Sequence, residues 1–272
     1  MVPAMPVTTV SVPVETRAST GETTACLLGA EPAVLVDPGA ASDPLDEAVA
    51  GREVGHLAVT HHHPDHVGAV ERYAARTGAT VWARVGRADA FAAATGVTPD
   101  RTFADGTAIP TGAGPVRVVD TPGHAPEHVA LASPGSPDAL DGWTLACGDL
   151  AVADGSVAVA APEGDLRAYL TSLRRVHAMA PDRLVPAHGP AVEGEDVRAT
   201  LRRLVAHRLD RERRVRAAVE GGAETVTAVC DRAYETDLSR VRDLAEATVR
   251  AHLEKLAVED HVRWDGQRAS PP

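Results

Sequence analysis

Four side chains of the types that bind metals fall within six residues of this 272-residue chain. Residues 60–66 read Thr-His-His-His-Pro-Asp-His, which gives the pattern His-x-His-x-Asp-His at His61, His63, Asp65 and His66. Imidazole and carboxylate together suit zinc, and iron or manganese also accept such ligands. A proline within the run and a glycine just after it allow the backbone turn that two metal positions would need. The run therefore predicts a metal-binding loop.

Three further ligand-type residues lie later in the chain, each beside a glycine or proline and after an apolar run. They are His124, Asp149 and His188, and the apolar runs before them cover residues 116–119, 143–146 and 184–185. Strand-like runs that end in this way present side chains at the edge of a sheet and let other backbone come close. These three residues and the histidine run therefore predict one composite site.

The order and spacing of these motifs resemble the metallo-β-lactamase superfamily over roughly residues 7–195, and Val36-Asp37-Pro38-Gly39 matches the opening motif of that family. The resemblance implies two Zn²⁺ ions per chain, with Fe or Mn as other candidates. Its implied ligands are His61, His63 and His124 for one ion, Asp65, His66 and His188 for the other, and Asp149 between them. Asp65 would also orient the attacking water or shuttle a proton.

Two residues near the implied ligands are candidates for supporting roles. Asp37 would fix the metal-binding loop by hydrogen bonds, or would only close a turn before Pro-Gly. His128, four residues past His124, would line the site or only cap a turn. Both alternatives stay open for both residues.

Strand-like and helix-like periodicities alternate along the chain. Strands are predicted near residues 7–14, 24–28 and 33–36, and helices near 43–49, 67–77 and 166–180. These elements suit an α+β fold, the αββα metallo-β-lactamase sandwich, in which two mixed sheets pack face to face with helices outside. Glycine and proline near residues 189–195 predict a boundary between a catalytic domain, 1–195, and a C-terminal domain, 196–272.

The C-terminal domain carries three helix-like segments, residues 196–220, 225–234 and 238–256, before a strand-like wing at 258–263. This order resembles a winged-helix module, and its residues resemble the C-terminal module of the lactamase-β-like-2 branch. That branch includes endoribonucleases that act on single-stranded RNA and thioesterases. The alternative is a helical cap that closes the active site without binding nucleic acid.

Charge and composition narrow the class of protein. Acidic residues number 38 against 27 basic ones, for a net charge of −11, which argues weakly against non-specific binding of nucleic acid. No run of about 18 apolar residues predicts a membrane span. Residues 1–17 lack the pattern of a signal peptide, and three scattered cysteines do not predict disulfides. We therefore expect a cytoplasmic protein without a membrane partner.

The resemblance implies a dinuclear zinc hydrolase in which metal-bound hydroxide cleaves an ester-type bond. One candidate substrate is single-stranded RNA, which the branch and the arginines of residues 202–216 favour. The alternative is a small-molecule thioester, as in hydroxyacylglutathione hydrolases or acyl-carrier thioesterases. A third hypothesis is a non-catalytic winged-helix DNA-binding protein that keeps a structural metal. The family often forms dimers, so a homodimer is among the expected states.

Overall fold

The computed structural model describes residues 7–112, 114–133 and 142–272. Residues 1–6, part of the segment in which no signal peptide is expected, lie outside the described residues. The chain divides into two compact units. The first comprises residues 1–121, 127–155 and 179–200, and the second comprises 122–126, 156–178 and 201–272. The domain boundary at residue 195 stays a prediction.

The first unit contains two six-stranded sheets. In the first sheet the strands are neighbours in chain order: β1 (Val7–Pro13), β2 (Glu22–Leu28), β3 (Ala33–Val36), β4 (Val54–Ala58), β5 (Thr80–Arg84) and β6 (Arg101–Phe103). β1, β2 and β3 pair antiparallel, whereas β3, β4, β5 and β6 pair parallel. The carboxyl ends of β3 and β4 therefore lie at the same edge of the sheet.

The second sheet has the order β12-β11-β10-β9-β8-β7. Its strands are β7 (Ala108–Ile109), β8 (Val116–Asp120), β9 (Val129–Ser133), β10 (Thr144–Gly148), β11 (Arg183–Pro186) and β12 (Val192–Glu193). β10 and β11 pair parallel, and the remaining neighbours pair antiparallel. The carboxyl ends of β10 and β11 are thus adjacent, as those of β3 and β4 are in the first sheet.

An aliphatic core joins the inner faces of the two sheets. Val34 and Val36 of β3 belong to the same buried cluster as Val118 and Leu131 of the second sheet. Leu35 lies between them in sequence and belongs to a different cluster, because successive residues of a strand point to opposite faces. That outer cluster contains residues of four helices, which are α1 (Asp43–Ala50), the one-turn helix α2 (Pro64–Val67), α3 (Val70–Thr77) and α4 (Ala88–Thr95).

The second unit is mainly helical. Its elements are α5 (Leu166–Met179), most of α6 (Glu195–Glu220), α7 (Val226–Ala233), α8 (Arg242–Val258) and a hairpin of β13 (Arg263–Trp264) and β14 (Ala269–Ser270). A separate buried cluster joins α6, α7 and α8 through Val215, Val229 and Val249. The predicted fold class, α+β with two sheets and a C-terminal helical region, is confirmed. The winged-helix identity stays a prediction.

No helix in the described part of the chain combines the length and the apolar character needed to cross a bilayer.

A buried ionic group lies in the core of the second unit. Lys255 of α8 donates hydrogen bonds to Glu212 at 2.9 Å and Glu259 at 2.6 Å, and it is 8% exposed. His252, one turn earlier, is fully buried, and neither of its ring nitrogens has a hydrogen-bond partner among the described residues. Burial lowers the pKa of His252 to about 4, so its imidazole is neutral at pH 7.

We predict that acid destabilises the second unit through His252. Its pKa is about 4 in the folded chain and 6.5 ordinarily, so the unfolded chain takes up the proton first as the pH falls. The contribution of neutral His252 to the free energy of unfolding is full above pH 6.5 and is lost as the pH falls towards 4. The loss between pH 7 and pH 5 is about 2 kcal/mol. This loss is measured by urea unfolding of the wild type and of the variant His252→Leu at pH 7 and pH 5, and the variant should lack it.

The control is His261→Leu, which changes an exposed histidine of the same unit and should keep the pH dependence of the wild type. An equal loss of stability in His252→Leu and in the wild type would contradict the assignment.

Candidate metal centre

The carboxyl ends of four strands carry the predicted site residues of the first unit. Asp37 follows β3 directly, and the histidine run begins three residues after β4, its parallel neighbour. Asp149 follows β10, and His188 follows the parallel strand β11 after one residue. Parallel strands expose their carboxyl ends at one edge, where ligands commonly bind in α/β sheets. Each sheet therefore contributes two adjacent strand ends.

A sharp turn after β4 sets the geometry of the histidine run. His63 has an extended backbone and precedes α2, and Pro64 occupies the first position of that helix, where its missing N–H costs nothing. This turn brings Nε2 of His61 to 2.9 Å from Nδ1 of His63. The backbone beside the turn is tightly packed, because a side chain at Gly39 would collide with the carbonyl oxygen of Asp65.

The first unit brings five of the predicted ligands into two overlapping clusters. One contains His61, His66 and Asp149, the other contains Asp65, His66 and His188, and the candidate ligand atoms within each lie within 4.8 Å of one another. Nε2 of His188 lies 3.4 Å from Asp149 Oδ1 and 3.5 Å from Asp65 Oδ2. Two ligands of a tetrahedral zinc ion lie roughly 3.4 Å apart, so this spacing fits a metal.

His66 has a buried ring nitrogen without a hydrogen-bond partner among the described residues. Its side chain is fully buried, and its Nε2 has no hydrogen-bond partner among residues 7–112, 114–133 and 142–272. That nitrogen lies 3.8 Å from carboxylate oxygens of both Asp65 and Asp149. Burial opposes protonation of His66, but the carboxylates of Asp37, Asp149 and Asp65 outweigh it and raise the pKa to about 9. These surroundings favour positive charge, and the donor set fits a divalent metal.

The carboxylate of Asp37 is buried and accepts three hydrogen bonds. Oδ1 accepts the backbone N–H of Thr60 at 2.7 Å, and Oδ2 accepts the Thr60 hydroxyl at 2.7 Å and Nδ1–H of His66 at 3.0 Å. The left-handed backbone of Asp37, with φ 49°, turns the chain at this point. The sequence left two roles open for Asp37, and these contacts correspond to the first, in which Asp37 forms hydrogen bonds with the loop that carries the histidine run. Because Nδ1 of His66 is held, Nε2 is directed towards the carboxylates.

His128 is buried and contacts the backbone of two neighbouring segments. Its Nδ1 donates to the carbonyl of Thr121 at 3.0 Å, and its Nε2 accepts the backbone N–H of Asp149 at 3.0 Å. The position before Asp149 must be glycine, because a side chain at Gly148 would come within 2.7 Å of His128 Nε2 and Thr60 Oγ1. His128 therefore fixes the backbone from which Asp149 projects.

Three contacts of the site residues were not anticipated from the sequence. Thr16 donates its hydroxyl proton to Oδ2 of Asp65 at 2.5 Å, although the two residues are 49 positions apart. Glu127 accepts the backbone N–H of His62 at 3.3 Å, and the carbonyl of Glu22 accepts Nδ1–H of His188 at 2.7 Å. A lone threonine or glutamate near a strand gives no motif, so only the fold shows these partners.

His124 belongs to residues 122–126 of the second unit, and its role as a third ligand beside His61 and His63 stays a prediction. Its Nδ1 donates to the carbonyl of Ala158 at 2.7 Å, within the same unit. Gly123 before it has φ 134°, and any side chain there would collide with the backbone of Tyr169. The loop that carries His124 is therefore closely packed.

Comparison with known proteins identifies the family of the chain. The family model of the metallo-beta-lactamase superfamily matches residues 20–188. A hydroxyacylglutathione hydrolase of Cereibacter sphaeroides is 34% identical over 156 residues, which cover 56% of this chain and 54% of that protein. The chain thus spans about half the length of that relative. A beta-lactamase-like protein 2 homolog of Drosophila melanogaster is 30% identical over 76% of this chain and 70% of its own length.

Solved structures extend the likeness to nearly the whole chain. A beta-lactamase domain protein from Burkholderia ambifaria has a TM-score of 0.78 at 25% identity and covers 98% of this chain and 91% of its own. A metallo-beta-lactamase family protein from Thermus thermophilus has the same fold, with a TM-score of 0.76 at 23% identity and coverage of 98% of both chains. By its family match, its relatives and its fold, the chain belongs to the metallo-β-lactamase superfamily.

Proposed function

We propose that this chain is a metal-dependent hydrolase with two divalent ions, of which zinc best suits the nitrogen and oxygen donors. The ligands would be His61, His63 and His124 for one ion, Asp65, His66 and His188 for the other, and Asp149 for both. The observation that carries this proposal is the buried Nε2 of His66, which lies beside two carboxylates and has no hydrogen-bond partner among the described residues.

Two such ions about 3.5–4 Å apart would lower the pKa of a shared water and stabilise negative charge on the substrate. The protein supplies the proton acceptor and the fixed geometry. Asp65 is half-buried, and the Thr16 hydroxyl donates to its Oδ2. Its carboxylate would orient the attacking water and accept its proton. Asp37 and His128 position His66 and Asp149 through the hydrogen bonds described above.

The substrate we favour is a small-molecule thioester. Curated relatives named hydroxyacylglutathione hydrolase support this class, including one from Methylococcus capsulatus that is 32% identical over 77% of this chain and 77% of its own length. A thioester carbonyl develops negative charge when water attacks it, and a dinuclear site stabilises that charge. This choice reverses the order of the two substrates that the sequence suggested.

Pairing within α6 weakens the case for RNA. Arg213 and Arg214 both pair with Asp210 at 3.0 Å, and Arg216 pairs with Glu220 at 2.8 Å. Cations that already pair with acids of their own helix contribute less to the binding of phosphates, which supplies most non-specific affinity for nucleic acid. RNA cleavage is therefore an outcome of the substrate test and not the favoured function.

We predict that Asp37→Asn lowers metal affinity by about 10–100-fold, because an amide cannot accept all three hydrogen bonds that hold Thr60 and His66. Competition between the protein and a chromophoric chelator measures the affinity. Asp89→Asn, a change to an exposed carboxylate on α4, is the matched control and should leave the affinity unchanged. Equal affinity in Asp37→Asn and the wild type would show that Asp37 does not support the site.

The substrate class is tested by offering metal-loaded protein a panel of acyl thioesters and a labelled single-stranded RNA, each with and without chelator. We expect chelator-sensitive thioester hydrolysis and intact RNA. Asp65→Asn, assayed at saturating metal and with its fold checked by circular dichroism, should lower kcat at least about 100-fold, because it removes the proton acceptor. Chelator-sensitive RNA cleavage would refute the thioester assignment. Full activity of metal-bound Asp65→Asn would refute the role of Asp65.

A further inference from the structure

The second unit contains a cavity of about 230 Å³ whose lining residues all belong to that unit. Two arginines of α6, Arg208 and Arg211, line it together with Tyr234 and the apolar side chains of Leu238, Val241 and Leu244. The two arginines are three residues apart, so they lie on the same face of the helix. The cavity thus combines two guanidinium groups with an apolar surface.

Arg208 is a buried cation with unused hydrogen-bonding capacity. It is 4% exposed, and its guanidinium donates to the carbonyl of Val157 and lies 5.7 Å from the ring centre of Tyr169. Within the described ranges, its Nε has no hydrogen-bond partner and no carboxylate lies within ion-pair distance. Burying a charge without a counter-ion is costly, so this guanidinium favours an anion in the cavity.

Arg211 is held in a fixed orientation beside Arg208. Its guanidinium carbon lies 3.5 Å from the ring centre of Tyr234, and its Nη1 donates to the carbonyl of Ala233 at 2.8 Å. No carboxylate of the described residues forms an ion pair with it. A guanidinium stacked in this way is ready to bind a carboxylate or phosphate with two parallel hydrogen bonds, at little further cost in side-chain entropy.

The apolar part of the lining indicates what the anion is attached to. Val241 is 42% exposed and is one of the few large apolar side chains that the described surface leaves exposed. It lines the cavity with Leu238 and Leu244, so an apolar body would cover it. The cavity is smaller than the pockets of about 300–1,000 Å³ that bind drug-sized molecules, and its volume equals that of about eight waters. It therefore suits a short organic acid.

We propose that this cavity binds a small organic anion whose carboxylate or phosphate group is held by Arg208 and Arg211 and whose apolar body packs on Leu238, Val241 and Leu244. The lining residues include none of the proposed metal ligands, and the proposal does not rest on the hydrolytic function. One contact connects the cavity to a proposed metal ligand. Ala158 lines the cavity, and its carbonyl accepts the hydrogen bond from Nδ1 of His124. A bound anion would therefore touch the segment that holds His124.

The test is isothermal titration calorimetry of the full-length, metal-loaded chain with hexanoate, monobutyl phosphate and uncharged hexan-1-ol. We expect at least one anion to bind with a dissociation constant of about 1 mM or tighter, within what about eight non-hydrogen atoms can supply. Hexan-1-ol should bind at least about tenfold more weakly, because it cannot pair with the guanidinium groups. The tighter of the two anions identifies the preferred head group.

Two variants locate the binding without changing the buried Arg208. Arg211→Gln and Val241→Asp should each weaken the anion at least about tenfold, the first by removing a charged donor and the second by placing a carboxylate at the cavity. Val241 precedes α8 as its capping residue, a position where aspartate is favoured, so the second variant should fold. Arg213→Gln, a change to an exposed arginine on the same helix, is the control and should bind like the wild type.

Binding of an anion that both cavity variants weaken, while Arg213→Gln does not, supports the proposal. The absence of binding by either anion at 10 mM overturns it, with this concentration set roughly tenfold above the expected dissociation constant. Binding that is unchanged in both cavity variants also overturns it, because the anion then lies elsewhere, for example at the metal ligands. Equal binding of hexan-1-ol and hexanoate overturns the role of the two arginines.

Discussion

The buried carboxylate of Asp37 is the interaction on which the site depends. It joins the end of β3 to the loop after β4 through Thr60, and it orients His66 through Nδ1. Because all three partners are donors, the carboxylate is satisfied although it is only 2% exposed, which offsets the cost of removing it from water. Without it, the histidine run would keep its sequence but lose the orientation of its most buried member.

The site residues that follow strands of the second sheet are also held by hydrogen bonds, each of which involves one backbone group. His128 holds the N–H of Asp149, and the carbonyl of Glu22 holds His188. The aliphatic core between the sheets places these strand ends beside those of the first sheet. The site therefore depends on packing over the whole sandwich, whereas the residues that would touch the metals occupy only a few short segments.

The sequence predicts the parts of this molecule that depend on neighbouring residues. The histidine run, the strands before it and the aliphatic helix faces are local patterns. Two departures also have local causes. The helix predicted near residues 67–77 begins at Val70, because Gly68 and Ala69 separate it from the one-turn helix α2. The helix predicted over residues 238–256 begins at Arg242, because Asp237 forms a turn with Ser239. Thr16 and Glu127 could not be predicted, because their roles arise from contacts far apart in sequence.

The dinuclear site is tested most directly by the metal content and the metal positions of the wild-type chain. Purified protein incubated with zinc and then freed of unbound metal would be measured by inductively coupled plasma mass spectrometry, and its crystals by anomalous diffraction at the zinc edge. We predict two ions per chain, one next to Nε2 of His66 and His188 and both next to Asp149. A folded chain that retains no metal, or anomalous peaks away from these residues, would contradict it.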